Sequence, residues 1–258
     1  MKRGRLTRVE QAQRFKQLAR FIFTFRYATR PQLDTFANIV MGIKYPQWLV
    51  EFTIERGFIT EYKQAEFRSK IYHLTRKGKA FIKPEEPNID RYHFEKRHAG
   101  INTFIHHNLI VESFFLLQKR LEIKKWICEW VLRINTHKRD KIPDGLIMLQ
   151  HDIRIALEVE TSYKTRGSLD VWVTLYSYDI EKAGKYDVVL VIAQDNRTYE
   201  SIKAKLYSLN QWFCARSFII TEVNMLKQDL CFYQNKSMTL QEAVRIVKEK
   251  GKTYARGI

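Results

Sequence analysis

The chain has 258 residues and a formal net charge of +17, from 45 Lys+Arg against 28 Asp+Glu. With 45% hydrophobic and 13% aromatic residues and only 10 Gly and 5 Pro, it is neither a disordered tail, nor a collagen-like repeat, nor a Gly/Pro-rich linker. No apolar run approaches the ~18 residues of a spanning helix, and the basic start MKRGRLTRVEQAQRFKQ has no apolar stretch behind it, so neither membrane insertion nor secretion is expected.

The three cysteines, Cys128, Cys214 and Cys231, are odd in number and lack CxxC spacing, which fits reduced thiols in a cytoplasmic protein. A pI near 9.8 in an aromatic-rich globular chain points to a polyanion partner. The charge is unevenly placed: residues 1–90 hold 18 Lys+Arg and 9 Asp+Glu, so the first third of the chain carries +9 of the +17.

Thr7 to Phe25 places Val9, Ala12, Phe15, Leu18, Ala19 and Ile22 at helical spacing. Thr29-Arg30-Pro31 is a helix start, a Thr cap with Pro in the first turn. A third helix is expected from Tyr45 or Pro46 to Arg56 and is stopped by Gly57. The period then changes. Phe58–Tyr62 is a strand, Lys63-Gln64-Ala65-Glu66 a turn, Phe67–Leu74 the returning strand, and Thr75 caps a last short helix. Lys83-Pro84-Glu85-Glu86-Pro87-Asn88 cannot continue a helix and marks a boundary, giving domains 1–86 and 90–258.

Three helices followed by a basic hairpin is the winged helix-turn-helix order, and Leu74-Thr75-Arg76-Lys77-Gly78 resembles the LTxKG that follows the wing in many such domains. A helical protein-interaction domain with the same hairpin is the competing reading. In the DNA reading the third helix enters the major groove, with Lys44, Gln47 and Arg56 as candidate base readers. Lys63, Arg68 and Lys70 on the wing and Arg76 and Lys77 after it contact phosphates, which give affinity and register but not sequence.

Tyr92–Leu121 is the longest helical pattern and is apolar over a broad face. Strands follow at Trp126–Ile134, Ile142–Leu149 and Ile153–Glu160, with Gln150-His151-Asp152 as the tight connection between the last two. A helix over Ser168–Lys182, capped by Ser168, leads to the continuous apolar strand Asp187–Ala193. Tyr199–Leu209 is a helix, Arg216–Thr221 a strand and Thr239–Lys250 a final helix. The order is α-β-β-β-α-β with an α-β extension, an α/β (α+β) second domain.

Pro143-Asp144-Gly145 opens the second strand of this core, and Glu158-Val159-Glu160 closes the third. Strand residues two apart share a face, so Glu158 and Glu160 project together, and a hairpin brings Asp144 beside them. Converging carboxylates are costly without a cation, and Mg²⁺ or Mn²⁺ suits oxygen donors. The wet face of an ordinary strand is the commoner origin of a Glu-x-Glu pair.

Asp144 followed by Glu158-Val159-Glu160 on this element order resembles the PD-(D/E)XK nuclease superfamily. A winged helix followed by such a domain is similar to the plasmid replication-relaxation proteins and the MobC-class relaxases of mobilisable elements, over roughly residues 7–222. The resemblance implies a metal-dependent enzyme that nicks one strand of double-stranded DNA at a transfer origin, with relaxosome or coupling proteins as further partners. Asp144, Glu158 and Glu160 would hold Mg²⁺ or Mn²⁺.

The usual Lys of the ExK motif is Glu160 here, and Lys164, four residues on, could supply the ammonium. Glu112 stands where the superfamily often has an acid on its first core helix, and it ranks above His106 and His107 nearby. Tyr163, Tyr176 and Tyr178 lie near the expected site, but no spacing marks a nucleophile. A non-enzymatic DNA-binding regulator of plasmid replication or transcription, and an endonuclease making double-strand breaks, are the other functional readings.

Overall fold

The computed structural model describes residues 7–63, 70–95, 100–135, 141–162 and 164–255, side chains 101, 102, 135 and 250–255 excepted. The chain forms two compact units, Met1–His107 and Asn108–Ile258.

In the first unit, α1 spans Arg8–Phe25, β1 Ala28–Thr29, α2 Arg30–Ile39, α3 Gln47–Glu55, β2 Ile59–Lys63, β3 Lys70–Leu74 and α4 Arg76–Ile82. Local chemistry sets the helix starts. Thr7 and Glu10 close a capping box on α1, and Thr29 and Gln32 close another on α2, with Pro31 in its first turn. Gly57, at φ +70°, ends the α3 region in the left-handed geometry that glycine tolerates. Thr75 Oγ1 accepts from Gly78 N and starts α4.

The strands form an antiparallel sheet of order β1-β3-β2. The connection between β2 and β3, with the expected turn and Arg68, lies outside the described residues. Leu18, Ile22, Leu33, Leu49, Ile71 and Ile82 are fully buried between the helices and this sheet. Each contributes roughly 2 kcal/mol of transfer free energy.

Gly78 is fixed by space rather than by conformation. A Cβ there would come within 2.0 Å of the Phe58 carbonyl oxygen, so α4 reaches the hairpin only through a glycine. Beyond the two prolines the chain still packs on this unit. Tyr92 Oη donates to Arg26 O at 2.6 Å and accepts from Leu74 N at 3.1 Å, and Phe94 stacks on His73.

The helix α5, Ile101–Gln118, contains the division between the units. It starts later than its apolar pattern predicts, since residues 92–95 are not helical. There follow β4 (Ile123–Cys128), α6 (Glu129–Leu132), β5 (Gly145–Leu149), β6 (Arg154–Glu160), α7 (Arg166–Ser177), β7 (Val188–Ala193) and α8 (Asn196–Ser217). The described chain ends with β8 (Phe218–Glu222), α9 (Val223–Lys227), β9 (Leu230–Tyr233), β10 (Lys236–Thr239) and α10 (Leu240–Ala255).

The sheet has seven strands in the order β10-β9-β8-β7-β6-β5-β4. β4, β5 and β6 pair antiparallel, β6, β7 and β8 pair parallel, and β8, β9 and β10 pair antiparallel. The protein is therefore mixed α/β with a mixed sheet.

Several elements differ from their patterns. β4 ends at Cys128, and Glu129 N turns back to donate to Asp144 O at 3.2 Å, so the expected strand to Ile134 becomes a short helix with Trp130 buried. The α7 cap is Thr165, which accepts from Ser168 N at 3.2 Å. α8 continues past Leu209 to Ser217 through a break at Asn210. The β9–β10 hairpin turns through Gln234 and Asn235, both at positive φ.

One face of the sheet packs Ala156, Val189, Val191, Leu169, Trp172 and Tyr176 into a continuous core, and all three cysteines are buried without disulfides. No described helix is long and apolar enough to cross a membrane.

Candidate active site

β5 and β6 pair with Gly145 opposite Leu157, so Asp144, one residue before β5, continues the ladder opposite Glu158. Asp144 Oδ2 accepts from Val159 N at 2.8 Å, which fixes the carboxylate against β6. Glu158 and Glu160 share a face of β6 and are 2% and 5% exposed. The same face carries Ala156, part of the apolar core, so both glutamates are drawn down among packed side chains.

Each glutamate has its own cation. Lys141 Nζ lies 2.7 Å from Glu158 Oε1, and Lys164 Nζ lies 3.1 Å from Glu160 Oε1. Tyr176 Oη, fully buried on α7, donates to Glu158 Oε1. Both ammoniums stand close to the Trp172 ring, at 5.1 Å and 5.3 Å from its centroid.

Burial pushes the Glu158 carboxyl up to about 8, and the charge of Asp144 adds to the shift. The Lys141 ammonium and the Tyr176 hydrogen bond pull the other way without overcoming it. The Tyr176 phenol is itself raised, by burial and by the Glu158 charge. The arrangement therefore favours either a proton on the carboxylate pair or further positive charge beside it.

The donor chemistry of Asp144 and Glu158 fits a hard divalent ion, which commonly takes one or two carboxylates and completes its shell with water. A three-carboxylate cluster is not what the side chains form. Among the described residues no group of three or more His, Cys, Asp or Glu is gathered to hold a metal ion. Glu160 is turned to Lys164.

The other candidates fall elsewhere. Glu112, about half exposed, pairs with Lys227 at 3.1 Å. His107 is packed on Tyr27 in the first unit, donating from Nε2 to Tyr27 O at 3.1 Å. Tyr178 is 61% exposed, and Tyr163 lies outside the described residues. Lys141 carries no motif of its own, and the one sequence signal is its place three residues before Asp144. Trp172 and Tyr176 read as core residues at helical spacing, which they also are.

In the first unit Lys44, Gln47, Arg56, Lys63, Lys70, Arg76 and Lys77 are all exposed. Lys77 Nζ donates to Arg56 O at 2.7 Å, tying α4 to the end of α3. The Arg56 guanidinium lies over Phe52 at 4.7 Å, and Lys70 pairs with Glu61 at 3.0 Å. The outward side of α3 bears Trp48, Glu51 and Glu55 beside Gln47, so it is mixed rather than uniformly basic.

These features define a mixed α/β protein: a helical unit with a small antiparallel sheet, then a seven-stranded mixed sheet bearing two buried glutamates, each paired with a lysine, and Asp144 beside the first of them. No family model, no curated protein and no solved structure matches the chain.

Proposed function

We propose that the chain is a divalent-metal-dependent enzyme that binds double-stranded DNA and nicks one strand, in the manner of a relaxase at a transfer origin of a mobilisable plasmid or conjugative element. The observation that carries the reading is Asp144 standing opposite Glu158, on strands paired antiparallel, antiparallel and then parallel in the order α5-β4-β5-β6-α7-β7. That order and pairing support a PD-(D/E)XK nuclease-like core. The succession α1, α2, α3 and the β2–β3 pair, with exposed Lys63, Lys70, Arg76 and Lys77, supports a winged helix in which α3 enters the major groove.

Asp144 and Glu158 would hold Mg²⁺ or Mn²⁺, an ion that supplies charge neutralisation at a phosphate and lowers the pKa of a bound water. The chain's own residues prepare the place. Val159 N orients Asp144, Tyr176 orients Glu158, and Trp172 packs beside the Lys141 and Lys164 ammoniums. Those ammoniums are suited to bind a phosphate oxygen.

The test incubates supercoiled origin plasmid with Mg²⁺ or Mn²⁺ and follows open-circular product, alongside calorimetric titration of the ion. The expected result is nicking and ion binding, both lost in Glu158→Ala. A parent that neither nicks nor binds the ion overturns the enzymatic reading, and a linear product favours a double-strand endonuclease.

A second reading has its own observation. Because Lys141 and Lys164 already compensate Glu158 and Glu160, the second unit could serve as a non-enzymatic clamp in a DNA-binding regulator. In that case Glu158→Ala leaves duplex binding and plasmid topology unchanged.

A further inference from the structure

The second unit contains a pocket of about 440 Å³, away from the carboxylate pair. It opens beside Asp187, the residue before β7, whereas Glu158 pairs with Val191 farther along that strand. The separation along the strand is about 13 Å. Buried Tyr186 and Phe213 line it, Trp212 and Arg216 stand on one side, and Glu181 and Asp187 bring carboxylates.

The backbone builds this geometry on purpose-made breaks. α8 is interrupted at Asn210, whose Oδ1 accepts from Phe213 N at 3.0 Å and restarts the helix. The restart turns Phe213 inward, 2% exposed, and leaves Trp212 outward at 64% exposed. The Arg216 guanidinium then lies 4.4 Å from the Trp212 ring centroid. An indole left in water forgoes the transfer free energy it would gain by burial, and here it is held as one wall of a pocket.

The geometry points to a binding site for a single unpaired nucleobase. A flat ring stacks on the indole of Trp212, and base–aromatic stacking tolerates any base because each has a π-face. The exposed Glu181 carboxylate accepts N–H donors, whereas Asp187 Oδ2 already accepts from Arg154 N at 2.7 Å, and this favours bases with an exocyclic amino group, adenine, cytosine and guanine, over thymine. A base within a duplex is closed inside the stack and cannot enter, so the ligand is a single-stranded segment. The basic excess of the second unit suits the phosphate backbone that runs outside the pocket. The choice of a DNA strand as the carrier of that base rests on the DNA-binding reading above.

The experiment measures fluorescence anisotropy of labelled single strands of about 8 nucleotides, oligo-dA, oligo-dC and oligo-dT, beside a labelled duplex. The parent is compared with Trp212→Ala, Trp212→Phe and Glu181→Gln, all at exposed positions of the second unit. The expected result is single-strand binding with oligo-dA or oligo-dC ahead of oligo-dT. Trp212→Ala should weaken it about tenfold and Trp212→Phe much less, while Glu181→Gln should erase the base preference. Duplex binding should be unchanged in all three variants. Equal single-strand affinity for parent and Trp212→Ala, or a parent that binds duplex but no single strand, overturns the pocket and leaves the duplex reader standing. A parent that binds neither form overturns the reader and the pocket together.

Discussion

The Lys141 ammonium lies 2.7 Å from Glu158 Oε1, so the carboxylate that faces Asp144 already has one of the chain's own cations against it. Lys141 is 22% exposed and Glu158 only 2%, so the pair is poorly screened by solvent. Removing the lysine leaves a buried acid beside a second acid. Above the Glu158 value of about 8, where its carboxyl is ionised, Lys141→Met should therefore cost about 2–3 kcal/mol, and Glu158→Gln in the same chain should recover about 1 kcal/mol or more of that. Urea unfolding followed by tryptophan fluorescence reads the effect, since four of the five tryptophans, Trp126, Trp130, Trp172 and Trp212, lie in the second unit. Strictly additive single and double changes would show that the two residues act separately.

The raised Glu158 carboxyl sets a pH dependence for the second unit. Its folded value of about 8 lies above the ordinary 4.5, so between those values the folded chain holds a proton that the unfolded chain has released. Stability from this group is present below 4.5 and is lost as pH rises toward about 8, a change of a few kcal/mol. Urea midpoints for the second unit should fall over that window and level off above it. Glu158→Gln should remove the slope, and a Glu158→Gln chain that keeps it would assign the proton elsewhere.

The first unit should respond in the opposite sense. His107 stacks on Tyr27 at 3.9 Å, and burial holds its imidazole down to about 3. Because the folded value lies below the ordinary 6.5, the unfolded chain takes up the proton first. Stability is full above 6.5 and drains as pH falls toward about 3. The residue is half-buried rather than fully enclosed, so the loss is expected at about 2 kcal/mol rather than the full value. Circular dichroism melts between these limits should show a falling midpoint, flattened in His107→Gln.

Much of this arrangement is legible in the residues themselves. The caps Thr29 and Thr75 and the stop at Gly57 mark helix limits because their chemistry is local. Asp144 and Glu158 are found by strand period and hairpin distance, which are also nearly local. What escapes is set by tertiary packing. Nothing in the sequence says that Lys141 folds back onto Glu158, or that Glu160 turns to Lys164 and so leaves the other two acids as a pair. The short turn at Cys128–Glu129 is hidden for the same reason, since its hydrogen bond goes to Asp144 O, which is distant in sequence. The β9–β10 hairpin turns through Gln234-Asn235, with no glycine to announce it.

Gly78 offers the sharpest test of the first unit, because its requirement is steric. A methyl group at this position meets the Phe58 carbonyl oxygen at 2.0 Å and its carbon at 3.0 Å, and both belong to backbone that cannot rotate away. Either α4 must lift from the hairpin or β2 must shift, and Thr75, which donates to Gly57 O at 2.6 Å, would lose its footing. Gly78→Ala should cost more than about 2 kcal/mol despite alanine's better helix propensity. Gly167→Ala is the matched control. It too lies in a first helical turn, has nothing within 4 Å of the new Cβ, and should be neutral or stabilising by about 0.5 kcal/mol. The thermal midpoint should therefore fall in Gly78→Ala and hold or rise in Gly167→Ala, and equal shifts would mean that the approach of α4 to Phe58 is not what holds this unit together.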